Sequence, residues 1–415
     1  MGLMYWNYLA AIGTFIWLAI MLLPWRPWDT REVLDSASAS PDTDLSDITV
    51  LIPARNEAGV IGTTLGSLKT QGNDLAIIVV DDRSTDGTAT VAKTLGIQNL
   101  RIITGEPLPA DWSGKLWALE QGFRHVNTPL TLLIDADIEL RPGIVGGLRK
   151  KLKEDRLHFV SLMAQLRMVS FWERLFMPAF VYFFKMLYPF RLSNSSFTPL
   201  EMEPRSSAVP PTAGLGPRII PAWFDAPLKF LTGFTRVAAA AGGCILLETR
   251  LIKEIGGFKT IRQELIDDCA LAKRVKLLGC RTWMGLTHSV HSLRSYESLA
   301  GIWNMVARTA FCQLRYSAML LGGTTAIMLM AFWLPIAGLF FPAASAKILS
   351  AGALGALILS YLPTLKFYHQ ARGWALALPL IATLYLAMTW SSAIRFWIGA
   401  GSRWKGRFYK GHKRV

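Results

Sequence analysis

Four apolar runs of bilayer-spanning length constrain this chain more than any other feature. Residues 3–24 form one, and residues 318–341, 348–367 and 374–394 form the others. Each has about the 20 residues that a helix needs to cross a hydrocarbon core. A bilayer interior offers the backbone no water to bond, so such runs must be helical. The chain is therefore divided: apolar helices at both ends, and between them a stretch able to fold in water. Hydrophobic residues are 52% of the 415, too many for an ordinary soluble enzyme of this length. The first run is a membrane helix rather than a cleaved signal, because no basic segment precedes it and Ala37-Ser38-Ala39 lie far past its apolar core. Trp25 and Trp28 suit the interface, and Arg26 and Arg31 place the C-terminal side of this helix in the cytoplasm.

The formal charge of +15 is unevenly placed, since residues 401–415 carry Arg403, Lys405, Arg407, Lys410, Lys413 and Arg414 and no acid. Such a basic tail beside a membrane helix fits anionic headgroups. Nucleic acid is excluded as a partner, because neither zinc-finger spacing nor an RNA-binding signature is present. One span before a cytoplasmic middle and three after it would send this tail outside, against the positive-inside rule. Either the last run is re-entrant or interfacial, with Arg395 at its edge, or two shorter runs share one span; the expectation is a cytoplasmic tail. Cys244, Cys269, Cys280 and Cys312 form no C-x-x-C pair and read as reduced thiols.

Between residues 48 and 165, short apolar strands alternate with helical patterns: strands at 48–53, 76–80, 100–103, 130–134 and 158–165, helices at 57–71, 85–95 and 115–125. That order predicts an α/β fold with a mainly parallel sheet covered on both faces. Ligands of such sheets bind beyond the carboxyl ends of the strands. Three polar clusters fall there: Pro53 to Glu57 with Arg55 and Asn56, Asp81 with Asp82, and Asp135 with Asp137. No G-x-G-x-x-G follows the first strand, which argues against a dinucleotide-dependent oxidoreductase. At a strand's end, Asp135 and Asp137 would point to one side and converge on one cation beyond it, the alternative being a solvated turn after the strand. Two hard oxygen ligands suit Mg2+ or Mn2+.

The domains expected are an N-terminal transmembrane helix at 1–25, a polar linker at 26–47 and an α/β domain at 48–297. An amphipathic interfacial helix at 298–316, a transmembrane region at 317–400 and the basic tail at 401–415 complete the chain. Residues 171–190 are apolar, but charges sit near both ends and Pro178 lies inside, so an interfacial helix is expected, with a wholly internal core helix as the alternative. Residues 193–236, rich in Pro, Ser and Gly, read as an irregular insertion. Ala238 to Glu248 holds a small-residue turn, with Gly242 and Gly243, entering a strand. A helix opens on Asp267 and Asp268, where its dipole favours acids.

As an ordered set, V-x-I-P-A-R-N-E (50–57), V-V-D-D-x-S-x-D-G-T (79–88), G-K-x-x-A-L (114–119), D-A-D (135–137), G-G-F (256–258) and D-D-x-x-L (267–271) resemble family 2 glycosyltransferases of the GT-A fold. Residues 112–119, 170–175, 238–244, 266–271 and 308–311 look like the hopanoid-associated branch, over about residues 1–335; ceramide and carotenoid glycosyltransferases are more distant relatives. The resemblance implies a nucleotide-sugar donor and a lipid acceptor, at a bacterial-type inner membrane with the catalytic domain in the cytoplasm. It implies that Glu57, Asp81 and Asp82 read the donor's base, that Lys115 lies near base or diphosphate, and that Asp135 holds ribose or metal and Asp137 metal. Asp268, beside Asp267, would be the general base. His288 or His291 would be a third metal ligand, a diphosphate contact or a structural residue. Trp172, Gly242, Gly243, Arg308, Arg315 and Tyr316 would border the acceptor. Cys312 and Tyr316 stand where the family's Q-x-x-R-W segment has Gln and Trp, which argues against processive polymer synthesis. Residues 404–407 resemble a segment of carotenoid glycosyltransferases, and a headgroup anchor is the alternative. A polyprenyl-phosphate acceptor, a nucleotidyltransferase and a non-catalytic nucleotide-binding membrane protein are the rival readings.

Overall fold

The computed structural model describes residues 2–36, 43–195, 237–399, 402–404 and 407–409. In chain order its elements are α1 (Gly2–Leu22), β1 (Ile48–Ala54), α2 (Ile61–Leu68), β2 (Ala76–Asp81), α3 (Thr88–Thr94), β3 (Leu100–Thr104), α4 (Gly114–Phe123), β4 (Leu130–Ile134) and β5 (Ile138–Leu140). Then come α5 (Ile144–Glu154), β6 (Phe159–Gln165), α6 (Phe171–Leu187), α7 (Phe190–Asn194), β7 (Cys244–Glu248), α8 (Thr249–Glu254), α9 (Asp267–Leu277), β8 (Thr282–Ser292) and α10 (Leu299–Gln313). Three apolar helices complete the fold: α11 (Ala318–Gly338, with a π-helical turn at Leu329–Trp333), α12 (Ala344–Phe367) and α13 (Leu378–Trp397).

The strands form one sheet in the order β3-β2-β1-β4-β7-β6-β8-β5. β3, β2, β1 and β4 pair in parallel, as the β-α-β alternation predicts. Successive residues of β1 serve opposite cores, because side chains alternate across a strand. Val50 and Ile52 pack with Leu65 of α2 and Leu148 of α5, whereas Leu51 packs with Leu119 of α4 and Leu271 of α9. Gly122 lets α4 lie close to the sheet: a Cβ there would sit 2.3 Å from Leu51 and 2.7 Å from Val80.

β7 was legible as a strand but not in its direction. It runs antiparallel to β4, with Cys244 opposite Ile134, so its amino end lies beside β4's carboxyl end. The long strand β8 and the edge strand β5 have no counterpart in the alternation pattern. The linker reading is corrected in part: Leu34 N–H donates to Leu286 O, and Leu286 N–H to Glu32 O, so residues 32–34 lie along β8. Residues 37–42 fall outside the described residues, as do 196–236 of the proposed insertion and most of the tail. Lys276 donates to the carbonyls of Ser193 and Val237, both at 2.8 Å, and so joins the two ends of that insertion.

A separate core gathers α6 and α10 with the apolar helices, around Phe176, Tyr182, Ile302, Leu357 and Tyr385. Ser170 and Glu173 form a capping box that starts α6. Glu173, fully buried, also accepts from Tyr296 N–H at 2.8 Å, which joins the start of α6 to the segment leading into α10. Among the described residues, four helices are long and apolar enough to cross a membrane: Met4–Leu22, Ala318–Gly338, Ala344–Phe367 and Arg372–Trp397.

Candidate active site

The parallel strands end together, with Ala54 opposite Asp81, and their loops lie on the side of the sheet where a recess lined by Pro53, Lys115 and Asp135 opens. Two loop residues adopt left-handed backbone, Asn56 with φ 50° and Arg83 with φ 56°, a conformation that non-glycine residues keep only when their surroundings hold them. The surroundings here are reciprocal hydrogen bonds. Asn56 N–H donates to Ser84 Oγ, and Thr85 N–H to Asn56 Oδ1, both at 2.9 Å. Arg55 donates to Asp82 O, and Asp81 Oδ1 accepts from Ser84 N–H. The two clusters read separately in the sequence thus form one surface, with Pro53 at the base of the recess.

The rim of that recess comes from α4, β4, β7 and α9. Lys115, in the first turn of α4, places Nζ 2.8 Å from Asp135 Oδ1 and 3.3 Å from Asp267 Oδ2. Asp267 and Asp268 open α9, but no side chain caps that helix. Asp268 Oδ1 accepts from Cys269 N–H at 2.8 Å. The antiparallel β7 explains Gly242: a Cβ there would meet Lys115 Nζ at 3.0 Å and Asp268 Oδ2 at 3.4 Å. Gly243 faces the core instead, against Ile138 and Ala164.

Charge is frustrated in this group. Burial, then the neighbouring charge of Asp267, pushes Asp268 up to about 7, against the pull of Lys115. Burial also raises Asp135, with Asp137 and Asp267 adding and Lys115 opposing. Burial disfavours the charged Lys115, yet Asp135 and Asp267 outweigh it and hold the amine above its ordinary value. An acid near neutrality, hydrogen-bonded and beside a cation, is the kind of group that serves as a general base.

Two expectations are corrected. β4 ends at Ile134 and the chain turns through Asp135 to Asp137, so the two carboxylates do not project as neighbours on one strand face. Asp137 instead meets Arg294, whose Nε lies 2.9 Å from its Oδ2 and whose Nη2 lies 3.2 Å from Glu57 Oε1. His288 is not turned to the acids: its Nδ1 is 3.1 Å from Asp35 Oδ2, its Nε2 2.9 Å from Phe367 O, and its ring stacks on Phe367. His291 lies on β8 opposite Glu139, at the sheet's edge. Among the described residues no group of three or more His, Cys, Asp or Glu is placed to hold a metal. The acid pair would still suit a hard dication, because the charge of Asp137 adds to burial in raising Asp135 and a cation there would relieve it, and phosphate oxygens and water commonly fill the rest of such a shell.

Sequence reasoning missed Arg294, Tyr188 and Gln313. Burial raises the Tyr188 phenol, and Asp268 lies near enough for its charge to add; the hydroxyl donates to Gln313 Oε1 at 2.5 Å. Gln313, one residue beyond Cys312, is thus the α10 side chain joined to this rim. Tyr316 stacks on Phe396 at 4.5 Å, and Arg315 is exposed, so neither is brought to the acids. Arg308 bears on Tyr296, which itself feels Arg294 and Asp137. Trp172 packs in the helical core, with its ring 6.3 Å from Phe176. For Gln313 the faint signal was its place in the last turn of an amphipathic helix; Arg294 carried none.

Residues 49–203 match the family described as Glycosyl transferase family 2, and residues 222–413 match Glycosyl transferase family 21. A 4,4'-diaponeurosporenoate glycosyltransferase of Staphylococcus aureus (strain USA300) is 32% identical over 123 residues, 30% of this chain; the match spans only 30% of that relative's length. The structure of a mannosyltransferase from Pyrobaculum calidifontis, in complex with GDP-Man and Mn2+, aligns over 94% of this chain and 98% of its own, with TM-score 0.50 and 18% identity. That likeness speaks for the fold. This chain accordingly has the GT-A fold of that mannosyltransferase, and its residues 49–203 are similar to a family 2 glycosyl transferase.

Proposed function

We propose that the chain transfers a sugar from a nucleotide-sugar to a lipid hydroxyl at the cytoplasmic face of a bacterial-type inner membrane, with inversion at the anomeric carbon. The observation that carries this reading is the contact between Tyr188 and Gln313 beside Asp268. It joins the end of α10, the helix leading into the apolar region, to a tyrosine that feels the charge of the candidate base, which supports a path for an acceptor held in the leaflet toward that carboxylate.

The donor's nucleoside would lie along the surface of Glu57, Asp81 and Asp82, and its diphosphate near Lys115, Asp135 and Asp137. Asp135 and Asp137 would hold Mg2+ or Mn2+, which supplies positive charge to offset that of the departing diphosphate. Lys115 adds a fixed cation on the same side. Asp268 accepts the acceptor hydroxyl's proton as the new carbon–oxygen bond forms and the sugar–phosphate bond breaks. The 4,4'-diaponeurosporenoate glycosyltransferase among the relatives supports a terpenoid acceptor, such as a hopanoid.

The test is incubation of membranes containing the chain with a panel of radiolabelled nucleotide-sugars, followed by lipid extraction. An organic-soluble labelled product is expected, lost in Asp268→Asn while donor binding persists. Label confined to water, or full transfer by Asp268→Asn, overturns the reading; pyrophosphate release from a nucleoside triphosphate would indicate a nucleotidyltransferase. Lability of the product to mild acid would separate a polyprenyl-phosphate acceptor from a neutral terpenoid.

A further inference from the structure

Residues 298–415, which hold α10 to α13 and the tail, contain no Asp or Glu. A basic side chain in this region meets a carboxylate or phosphate only by reaching the catalytic domain or something outside the protein. Arg395, in the last turn of α13, reaches no acid within the protein. It donates to the neutral amide oxygen of Asn304 of α10 at 2.9 Å, and among the described residues no carboxylate pairs with it. Its position suits the dipole of α13, yet the side chain reaches across to α10 rather than back to the last carbonyls of its own helix.

Arg395 closes one end of a groove of about 540 Å3. Thr383 lies at the other end, about 18 Å earlier along α13 at the helical rise. Between them Leu386, Ala387, Trp390 and Ile394 form the floor, and Trp303 of α10 forms a wall. Two polar groups of the floor are already occupied. The Thr383 hydroxyl donates to Pro379 O and accepts from the Trp333 indole, both at 2.8 Å. The Trp390 indole donates to Thr325 Oγ1 at 3.0 Å. Trp333 and Thr325 belong to α11, which runs antiparallel along α13, so these bonds fix the floor and offer nothing to a ligand. Ser391 apart, what remains is an apolar trough with a cation at one end.

Such a trough recognises an amphiphile, with an apolar chain along its floor and an anionic head at Arg395. Its length is close to the depth of one leaflet, half of a hydrocarbon core of about 30 Å. From the Arg395 end the chain continues into Arg403, Lys405 and Arg407, and basic residues beside a membrane helix attract anionic headgroups.

We propose that this groove holds one anionic phospholipid, with its phosphate on Arg395 and an acyl chain along α13 against Trp303. The guanidinium that no acid neutralises favours this occupant over a neutral terpenoid. The helices of spanning composition around the groove favour a lipid over a protein partner. Seated there, the lipid bridges α10 and α13 beside the contact of Arg395 with Asn304. The inference rests on the membrane reading and not on sugar transfer.

The test uses the full-length chain in a neutral detergent and native mass spectrometry with phosphatidylglycerol and phosphatidylcholine of identical acyl chains. One phosphatidylglycerol per chain should survive at energies that strip phosphatidylcholine, and it should raise the melting temperature. Arg395→Gln, which can still bond Asn304, should lose about tenfold in affinity for phosphatidylglycerol, the worth of one hydrogen bond to a charged group. Arg395→Lys should keep most of it. Ala387→Trp, which fills the trough from its open side, should displace the lipid with circular dichroism unchanged. Equal retention by the unaltered chain and Arg395→Gln overturns the proposal, because the basic tail or the surrounding lipid belt then does the holding. Unchanged retention in folded Ala387→Trp overturns it too, and if that variant does not fold, the pair of Arg395 variants decides. A neutral terpenoid extracted from the purified chain and lost in Ala387→Trp would assign the groove to that lipid instead and overturn the phospholipid. Absence of sugar transfer alters none of these readouts.

Discussion

Lys115 Nζ lies 2.8 Å from Asp135 Oδ1, so a residue near the start of a helix holds the carboxylate at the end of β4. The same amine reaches Asp267, across the recess. One cation therefore organises acids supplied by two distant parts of the chain. Lys115→Met should leave them mutually repelling, weakening donor binding and lowering transfer by about a hundredfold or more, the scale expected for a group that stabilises developing charge. Lys115→Arg should recover little, because a planar guanidinium does not replace a point charge between two acids. Titration with the donor and single-turnover transfer check both.

Asp268 sits at about 7 because of burial first and Asp267 second. A base works only when ionised, so kcat/KM should rise with pH and level off above about 7. Asp267→Asn removes a repelling charge, so the midpoint should move to lower pH. The sign for stability is the reverse. A carboxyl raised in the folded state binds its proton more tightly there, and its contribution is lost as pH rises toward 7. Asp268→Asn should therefore raise the melting temperature more at pH 8 than at pH 5, read by thermal denaturation in detergent.

Arg294 pairs with both Asp137 and Glu57. In Arg294→Ala a cation that competes for Asp137 is gone, and Mn2+ should bind about tenfold more tightly without donor, a coupling of about 1.4 kcal/mol. Counting free Mn2+ by electron paramagnetic resonance measures this directly. Unchanged affinity would mean that Asp137 does not bind the ion.

Gly242→Ala should keep the fold, since the nearest group to the new methyl is the flexible end of Lys115. Displacing that amine shifts both its acid partners. Transfer should fall about a hundredfold, as for small misplacements of reacting groups, with circular dichroism unchanged. Gly243→Ala should instead act on stability, because its neighbours are Ile138 and Ala164 in the core.

The acids and Lys115 were legible because each follows a strand or opens a helix whose period shows plainly in the sequence. Arg294 was not, since only the pairing of β8 with β5, beside Asp137, brings it to Glu57 from 237 residues away. For His288 the sequence left a ligand and a structural role open, and the part of the linker that runs along β8, which supplies Asp35 as its partner, supports the structural one.

Local order along the chain therefore determined by itself the α/β alternation, the buried strands, the acids at their ends and the presence of apolar helices, because hydrophobic period and run length are properties of neighbours in sequence. Only the tertiary structure decided which strand is reversed and which cation meets which acid. Those depend on contacts between residues far apart in the chain, and composition carries no record of direction.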